Sequence, residues 1–490
     1  MLLNPKLFEI NTRVWIKQFD KGIKLTEIPI NIWESFAEKG IDIIWLLGVW
    51  ETCPGLIEKC CFSPDLVASY SRSLKDWTNE DVIGSPFAIN DYNVNPQFGN
   101  WDDLKKLRQT LNKLGLKLFI DFIPNHFSAG SKLLNTNPEI FLQADRELYE
   151  RDPFTFFQVG SSGKYFAHGR DPLFPAWTDT AQVNYFNQQA RDFLTGTLLK
   201  LTEVCDGVRC DMAMLPLNNV FENTWLGVLN KTSFTKPKDE FWKTAIEKVK
   251  EHSPGFIFMA EAYWDLEWDL QQLGFDFTYD KRLTDRLAAY DLPGVKAHLM
   301  ADNDYQLKSV RFLENHDEVR AVSKFGKKQS FAAAILISTI QGMKFYYEGQ
   351  FDGKKIKLPL QLGREPEEKI SRSLTEHYNK ILRITKENIF RDGRWVLLEP
   401  EPVSNNNFSS EFIFAWHWKL GRDNRVIVIN YSDNVAYCRL KFELKSASKE
   451  LHLTDLLTNE EYNRSVQEIQ SLGLYVELKC FHSHIFSFTL

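Results

Sequence analysis

No uninterrupted apolar run in these 490 residues is long enough to cross a bilayer as a helix, so no membrane partner is expected. Neither sign of charge dominates. The chain has 59 Lys and Arg against 65 Asp and Glu, a net charge of -6, which gives no basic face for nucleic acid. Cysteine is sparse, with seven irregularly spaced residues, an odd number that includes the adjacent Cys60 and Cys61. Such usage does not make a disulfide framework and points to a reduced, cytoplasmic protein. Cys53 and Cys60 would need further His or Cys ligands to form a metal or redox site, and the sequence supplies no such pattern. The opening residues, MLLNPKLFEINTRVW, lack the basic segment, apolar core and small-residue cleavage site of a signal peptide, which sets the same cytoplasmic expectation. Internal repeats and low-complexity tracts are absent, and nothing fixes an oligomeric state.

What is present is a large apolar and aromatic fraction, 43% and 14%, enough for a sizeable core and for more than one domain. Apolar, β-rich runs alternate with helix-period runs as far as about residue 350. Strands are predicted at 13–18, 42–48, 116–123, 206–212, 255–261, 275–279, 309–314 and 343–348. Between them the spacing predicts helices over 101–114 and 188–204, and near 31–39, 240–252, 281–290 and 328–341. In the first of these, Leu104, Leu107, Leu111 and Leu114 form one stripe, Asn100 can cap the start and Gly115 can end it. Eight strands with intervening helices describe an α/β fold, a (β/α)8 or TIM barrel. The connection 127–187 after the third strand is too long for a bare loop and reads as an inserted subdomain. Beyond residue 394, short strands separated by polar turns (EFIFAWHW, RVIVINYS, YCRLKFEL, LYVELK, HIFSFTL) read as a C-terminal antiparallel β-sandwich. The expected division is 1–126 with 188–394 for the barrel, 127–187 for the insert and 395–490 for the β domain.

Barrel active sites form where strands end at the C-terminal face. Three acids stand at such ends: Asp211 in GVRCDMA, Glu261 in FMAEAYW and Asp317 in FLENHDEVR. FIDFIPNH adds Asp121, Asn125 and His126. Arg209 and Asp211, two apart on a strand, point the same way, and a guanidinium beside a carboxylate favours the ionised acid that a nucleophile requires. Taken alone, the pair could equally be a structural ion pair. Glu261, set among apolar and aromatic residues, should resist ionisation and so hold a proton for a leaving oxygen. His126 and His316 each follow an Asn at a strand end. Trp264, three residues after Glu261, is equally suited to stacking on a sugar or to packing in the core.

The segments DFIPNH (121–126), GVRCDMA (207–213), the Glu261 strand and ENHDEVR (314–320) resemble the four signature regions of the α-amylase family, glycoside hydrolase family 13. Order and spacing agree over 13–350. The stretch DTAQVNYFN (179–187) is similar to a further motif of that family, and the insert and C-terminal region resemble its domains B and C. The resemblance implies double displacement with retention, with Asp211 as nucleophile, Glu261 as general acid/base and Asp317 as transition-state stabiliser. It implies that Arg209 supports Asp211 and that His126 and His316 bind sugar hydroxyls. Phe87, in SPFAINDY, falls where the family stacks a Tyr, with Asp91 and Tyr92 ending the motif. No cofactor is implied, although calcium is possible with Asn125 as one ligand. The chain departs from the family at Met214 and Leu215, where many amylases carry a Lys–His pair on the leaving-group side.

The expected activity is retaining hydrolysis of α-1,4-glucans or maltooligosaccharides. The alternatives are an α-glucan transglycosylase or disaccharide-converting enzyme of the same family, and a non-catalytic glycan-binding barrel. A metal-dependent hydrolase would need more His ligands than His126 and His316.

Overall fold

Eight short parallel strands close into a barrel in sequence order: β1 (Lys6–Asn11), β2 (Ile43–Leu47), β3 (Lys117–Phe122), β4 (Gly207–Cys210), β5 (Ile257–Ala260), β6 (Phe277–Tyr279), β7 (Ser309–Arg311) and β8 (Met343–Tyr347). The computed structural model describes residues 2–160, 163–444 and 448–490. Seven of the eight strands lie within the segments predicted from the sequence. The first does not. Residues 13–18 are helical (Thr12–Trp15, then a 3-10 turn Ile16–Gln18), and the strand is Lys6–Asn11. RVWIKQ carries β-branched and aromatic residues, but its neighbour KLFEIN has the register partners, pairing Glu9 with Trp45 of β2 and with Tyr347 of β8. Propensity was overridden by which segment could be paired on both sides.

Side chains alternate inward and outward along each strand. Leu7, Ile43, Trp45, Phe119, Met259, Tyr279 and Phe345 fill the barrel interior. Phe8, Ile10, Ile44, Leu46, Leu118 and Val208 face the surrounding helices and belong to the main core. The same parity turns Glu9, Asp121, Arg209 and Glu261 inward near the strand C-termini. The helix Trp101–Lys113 opens with a capping box in which Asn100 Oδ1 accepts from Asp103 N (3.1 Å) and Asp103 Oδ2 accepts from Asn100 N (3.0 Å). It buries Leu104, Leu107 and Leu111.

The insert contributes a two-stranded pair, His126–Ser128 with Thr180–Gln182, and a three-stranded sheet of Gln143–Ala144, Tyr165–Ala167 and Phe156–Gln158. At the C-terminal end, a six-stranded antiparallel sheet (Arg394–Leu398, Ile413–Leu420, Asp423–Asn430, Glu450–Asp455, Glu461–Ser465, Ser483–Thr489) faces a three-stranded one (Pro400–Glu401, Ala436–Leu440, Leu474–Leu478). Ile413, Ala415, Val426, Val428, Phe486 and Phe488 pack between the two sheets. Phe414, Trp416 and Trp418, at the alternate positions, join the barrel core instead. Among the described residues no helix is long and apolar enough to cross a membrane.

Candidate active site

Arg209 on β4 is the hub. It is fully buried, and its Nη1 lies 2.6 Å from Asp211 Oδ1 while Nη2 lies 2.7 Å from Glu261 Oε2. Neighbouring strands β4 and β5 pair Arg209 with Met259 and Cys210 with Ala260, so Asp211 and Glu261 emerge side by side just beyond the ladder. The rings of Phe87, Trp45 and Tyr279 stand 5.2, 5.4 and 5.8 Å from the guanidinium carbon. This aromatic cage fixes the cation by cation–π attraction where water is excluded.

Two further donors hold Glu261. Met212 N–H donates to Oε2 (2.6 Å) and Tyr263 OH donates to Oε1 (2.9 Å). Met212 reaches that position with φ +43, the left-handed conformation directly after Asp211. Burial pushes Glu261 up to about 7, against the pull of Arg209 and with the push of Asp211 and Asp317. Burial also raises Asp211, opposed by the charge and direct hydrogen bond of Arg209. The sequence reading of Asp211 counted only the guanidinium, whereas desolvation is the larger influence.

Asp317 stands across the cleft floor with 43% of its side chain exposed. Its Oδ2 lies 2.9 Å from His316 Nε2. Desolvation would raise its carboxyl, but the charge and hydrogen bond of His316 win and hold it well below the usual carboxylate range. His316 is fully buried, and its other nitrogen, Nδ1, contacts Glu9 Oε1 of β1. Burial would strip its charge, yet Asp317 and Glu9 together push it up to about 10. His126 has no such carboxylate pair; burial lowers it to about 4, so it is neutral. The Trp177 ring packs edge-on against it at 5.4 Å. Phe87 lies against His316 (5.5 Å) as well as Arg209. Asp121 is inside the barrel mouth, accepting from Gly48 N (2.9 Å) and Trp45 Nε1 (3.2 Å). Gly48 has φ +79, and a Cβ there would meet Arg13 Cδ at 2.9 Å, so only glycine fits this turn.

Not every residue expected to bind substrate stands free to do so. Tyr92 is buried, and its hydroxyl donates to Ile123 O (3.0 Å) and accepts from Ile123 N (2.8 Å). Asp91 Oδ2 pairs with Lys132 Nζ (3.0 Å) and Oδ1 accepts from Tyr92 N (2.8 Å). Asp91 thus ties its segment to the insert, and Tyr92 ties it to the end of β3. Trp264 is half-buried with φ +64, followed by Asp265 at φ +62, and it lines a cavity of about 360 Å³ with Tyr263 and Arg282. Met214 and Leu215 are buried in the core. Sequence reasoning missed Glu9, Trp45, Tyr263 and Tyr279. An acid interrupting the apolar run LFEI was the available signal for Glu9, lost when the first strand was placed seven residues late.

Asn125 is engaged by a neighbouring side chain. Its Oδ1 accepts from Gln182 Nε2 (2.9 Å), and that same nitrogen lies 3.0 Å from both Asn125 O and Val183 O. A side-chain amide therefore sits where these three oxygens converge. Among the described residues no group of three or more His, Cys, Asp or Glu could hold a metal.

The family model of the alpha amylase catalytic domain matches residues 81–394. Alpha-amylase 3 of Dictyoglomus thermophilum is 20% identical over 343 residues, covering 66% of this chain and 63% of that protein. A cyclomaltodextrin glucanotransferase of Bacillus sp. (strain 1-1) is 24% identical over 282 residues, 52% and 36% of the two chains. This chain thus spans less than two thirds of the first relative and about a third of the second. Among solved structures, a noncanonic maltogenic alpha-amylase from Thermotoga neapolitana superposes with TM-score 0.69 at 18% identity, covering 99% of each chain. An alpha-amylase from Geobacillus thermoleovorans, solved with acarbose, gives 0.67 at 16% identity, covering 99% of this chain and 98% of that one.

Proposed function

Since the chain belongs to the α-amylase family, we propose that it cleaves α-1,4-glucosidic bonds of glucans or maltooligosaccharides with retention at the anomeric carbon. The observation that carries this reading is the single guanidinium of Arg209 shared by Asp211 and Glu261, which keeps the two carboxyls close. Closeness suits a retaining pair, with carboxyls roughly 5–5.5 Å apart, better than an inverting pair at roughly 6.5–9.5 Å. Asp211 attacks the anomeric carbon while Glu261, its carboxyl raised to about 7 and protonated below that pH, gives its proton to the leaving oxygen. A covalent glycosyl–Asp211 ester forms. Glu261, now a carboxylate, takes a proton from the incoming acceptor, which displaces Asp211. Asp317, kept ionised by His316, stabilises the positive charge that develops on the sugar. Phe87 offers an apolar face to the ring, and His126 a neutral imidazole to a hydroxyl.

Transfer to a sugar instead of to water is the second reading. It is favoured by Met214 and Leu215, which withdraw into the core and give the acceptor side no polar pair. The likeness to cyclomaltodextrin glucanotransferases points the same way. The seven cysteines are all unpaired, which supports a reducing, cytoplasmic setting.

Maltooligosaccharides, maltose, trehalose and sucrose, each with and without phosphate, provide the test when products and their anomers are resolved over time. α-Configured products that are lost in Asp211→Asn are expected, with shortened sugars for hydrolysis and lengthened ones for transfer. Unchanged turnover in Asp211→Asn would refute the assignment.

A further inference from the structure

His316 is clamped between two carboxylates. Glu9 Oε1, reaching in from β1, touches Nδ1, and Asp317 Oδ2 lies 2.9 Å from Nε2. A neutral imidazole carries only one N–H, so one of its nitrogens would turn a lone pair toward an anion. Only the imidazolium satisfies both sides. Other charged groups act on this centre from other elements: Asp121 on β3, Asp211 beyond β4, Glu261 beyond β5 and Glu314 beyond β7, with the charges of Arg209 and Lys357 falling on Asp317. Trp45 and Phe87 close the rest of the surroundings with rings 5.6 and 5.5 Å from the imidazole.

Glu9 has no other evident use. It is completely buried, its Oε2 has no hydrogen-bond partner, and the next acid along, Glu348, is engaged with Asn11 N instead. A buried carboxylate with one oxygen unpaired is costly, and a barrel interior filled for packing alone would carry an apolar residue there.

Resting on the proposed function, we propose that Glu9 is a positioning residue: reaching in from β1, two strands round the barrel from β7, it keeps His316 doubly protonated and oriented, so that His316 holds Asp317 as an anion. Glu9 touches neither the substrate nor the reacting atoms; it acts through His316.

Glu9→Gln keeps shape and a hydrogen-bond acceptor but removes the charge. Two readouts test the proposal. In the first, ¹³C-histidine spectra are recorded from pH 5 to 9, with His316 assigned by its loss in His316→Gln. The wild-type His316 signal is expected not to titrate in this range, and to titrate within it in Glu9→Gln. In the second, the pH profile of kcat on maltooligosaccharides is expected to lose its alkaline side at a pH at least one unit lower in Glu9→Gln. A loss of kcat of tenfold or more at pH 8, a smaller loss at pH 5.5 and little change in KM should accompany it. Glu9→Asp retains the charge and should recover part of both effects; it also decides the question if Glu9→Gln does not fold. A Glu9→Gln protein with lower Tm but an unchanged profile per folded molecule would make Glu9 merely structural and overturn the proposal. So would a His316 signal that stays untitrated to pH 9. A wild-type protein inert toward every α-glucoside sinks the proposed function, yet the spectra still decide whether Glu9 sets the charge of His316.

Discussion

Asp211 and Glu261 differ by one methylene, and their partners give them different work. Asp211 takes a direct hydrogen bond from Arg209, while Glu261 takes its bonds from a backbone N–H and a tyrosine and is pushed up to about 7. Bond cleavage by the proposed route needs Glu261 protonated and Asp211 ionised. Activity should therefore fall as pH rises through about 7, when Glu261 loses its proton. It should also fall on the acid side, above the ordinary Asp value of about 3.9, because burial raises Asp211. A narrow bell in kcat/KM between pH 4 and 9 is expected, and activity still climbing at pH 9 would contradict it. Glu261→Gln should cost roughly 10²–10⁴-fold on maltooligosaccharides and far less in the first step on aryl α-glucosides with good leaving groups. Equal losses on the two substrates would remove the general-acid role.

At the scale of elements, the pair His126–Ser128 and Thr180–Gln182 joins the insert to the third strand, and Gln182 locks it. Its amide nitrogen reaches Asn125 O, Asn125 Oδ1 and Val183 O, so one side chain ties the end of the third strand to the strand returning from the insert. Two outcomes follow for thermal melting. A chelator should leave Tm unchanged, and Gln182→Ala should cost about 1–3 kcal/mol by stranding buried carbonyls. A Tm that falls with EDTA and returns with calcium would show that an ion site exists after all.

For the whole molecule, the C-terminal sheet is bound to the barrel by one face. Trp418 is fully buried there and donates its indole N–H to Thr339 O (2.7 Å) at the end of the helix Lys327–Thr339. Tyr431 reaches Leu287 O (3.3 Å) from the same face. Because Phe414, Trp416 and Trp418 share the barrel's core, the two parts should unfold together. Trp418→Ala should cost about 3–5 kcal/mol and lower a single transition in calorimetry. Two separate transitions in the wild-type protein would show that the shared core does not couple them.

Much of this architecture was legible in the chain because its signals are local. Apolar runs at strand length, the Leu stripe with its Asn100 cap, and acids at strand ends each depend on a few neighbouring residues. The C-terminal strands 394–398, 450–455 and 461–465 were not read: the first and last are edge strands with half-exposed faces, and 450–455, although paired on both sides, alternates over only six residues. The first strand was misplaced because RVWIKQ and KLFEIN have similar propensity, and only pairing with β2 and β8 separates them. That error hid Glu9, whose contact with His316 spans 307 positions. The sequence by itself determined which residue types stand at the barrel mouth. Tertiary structure decided which of them share a partner, because ionisation depends on burial and on neighbours brought from distant strands, and neither is encoded within any one segment.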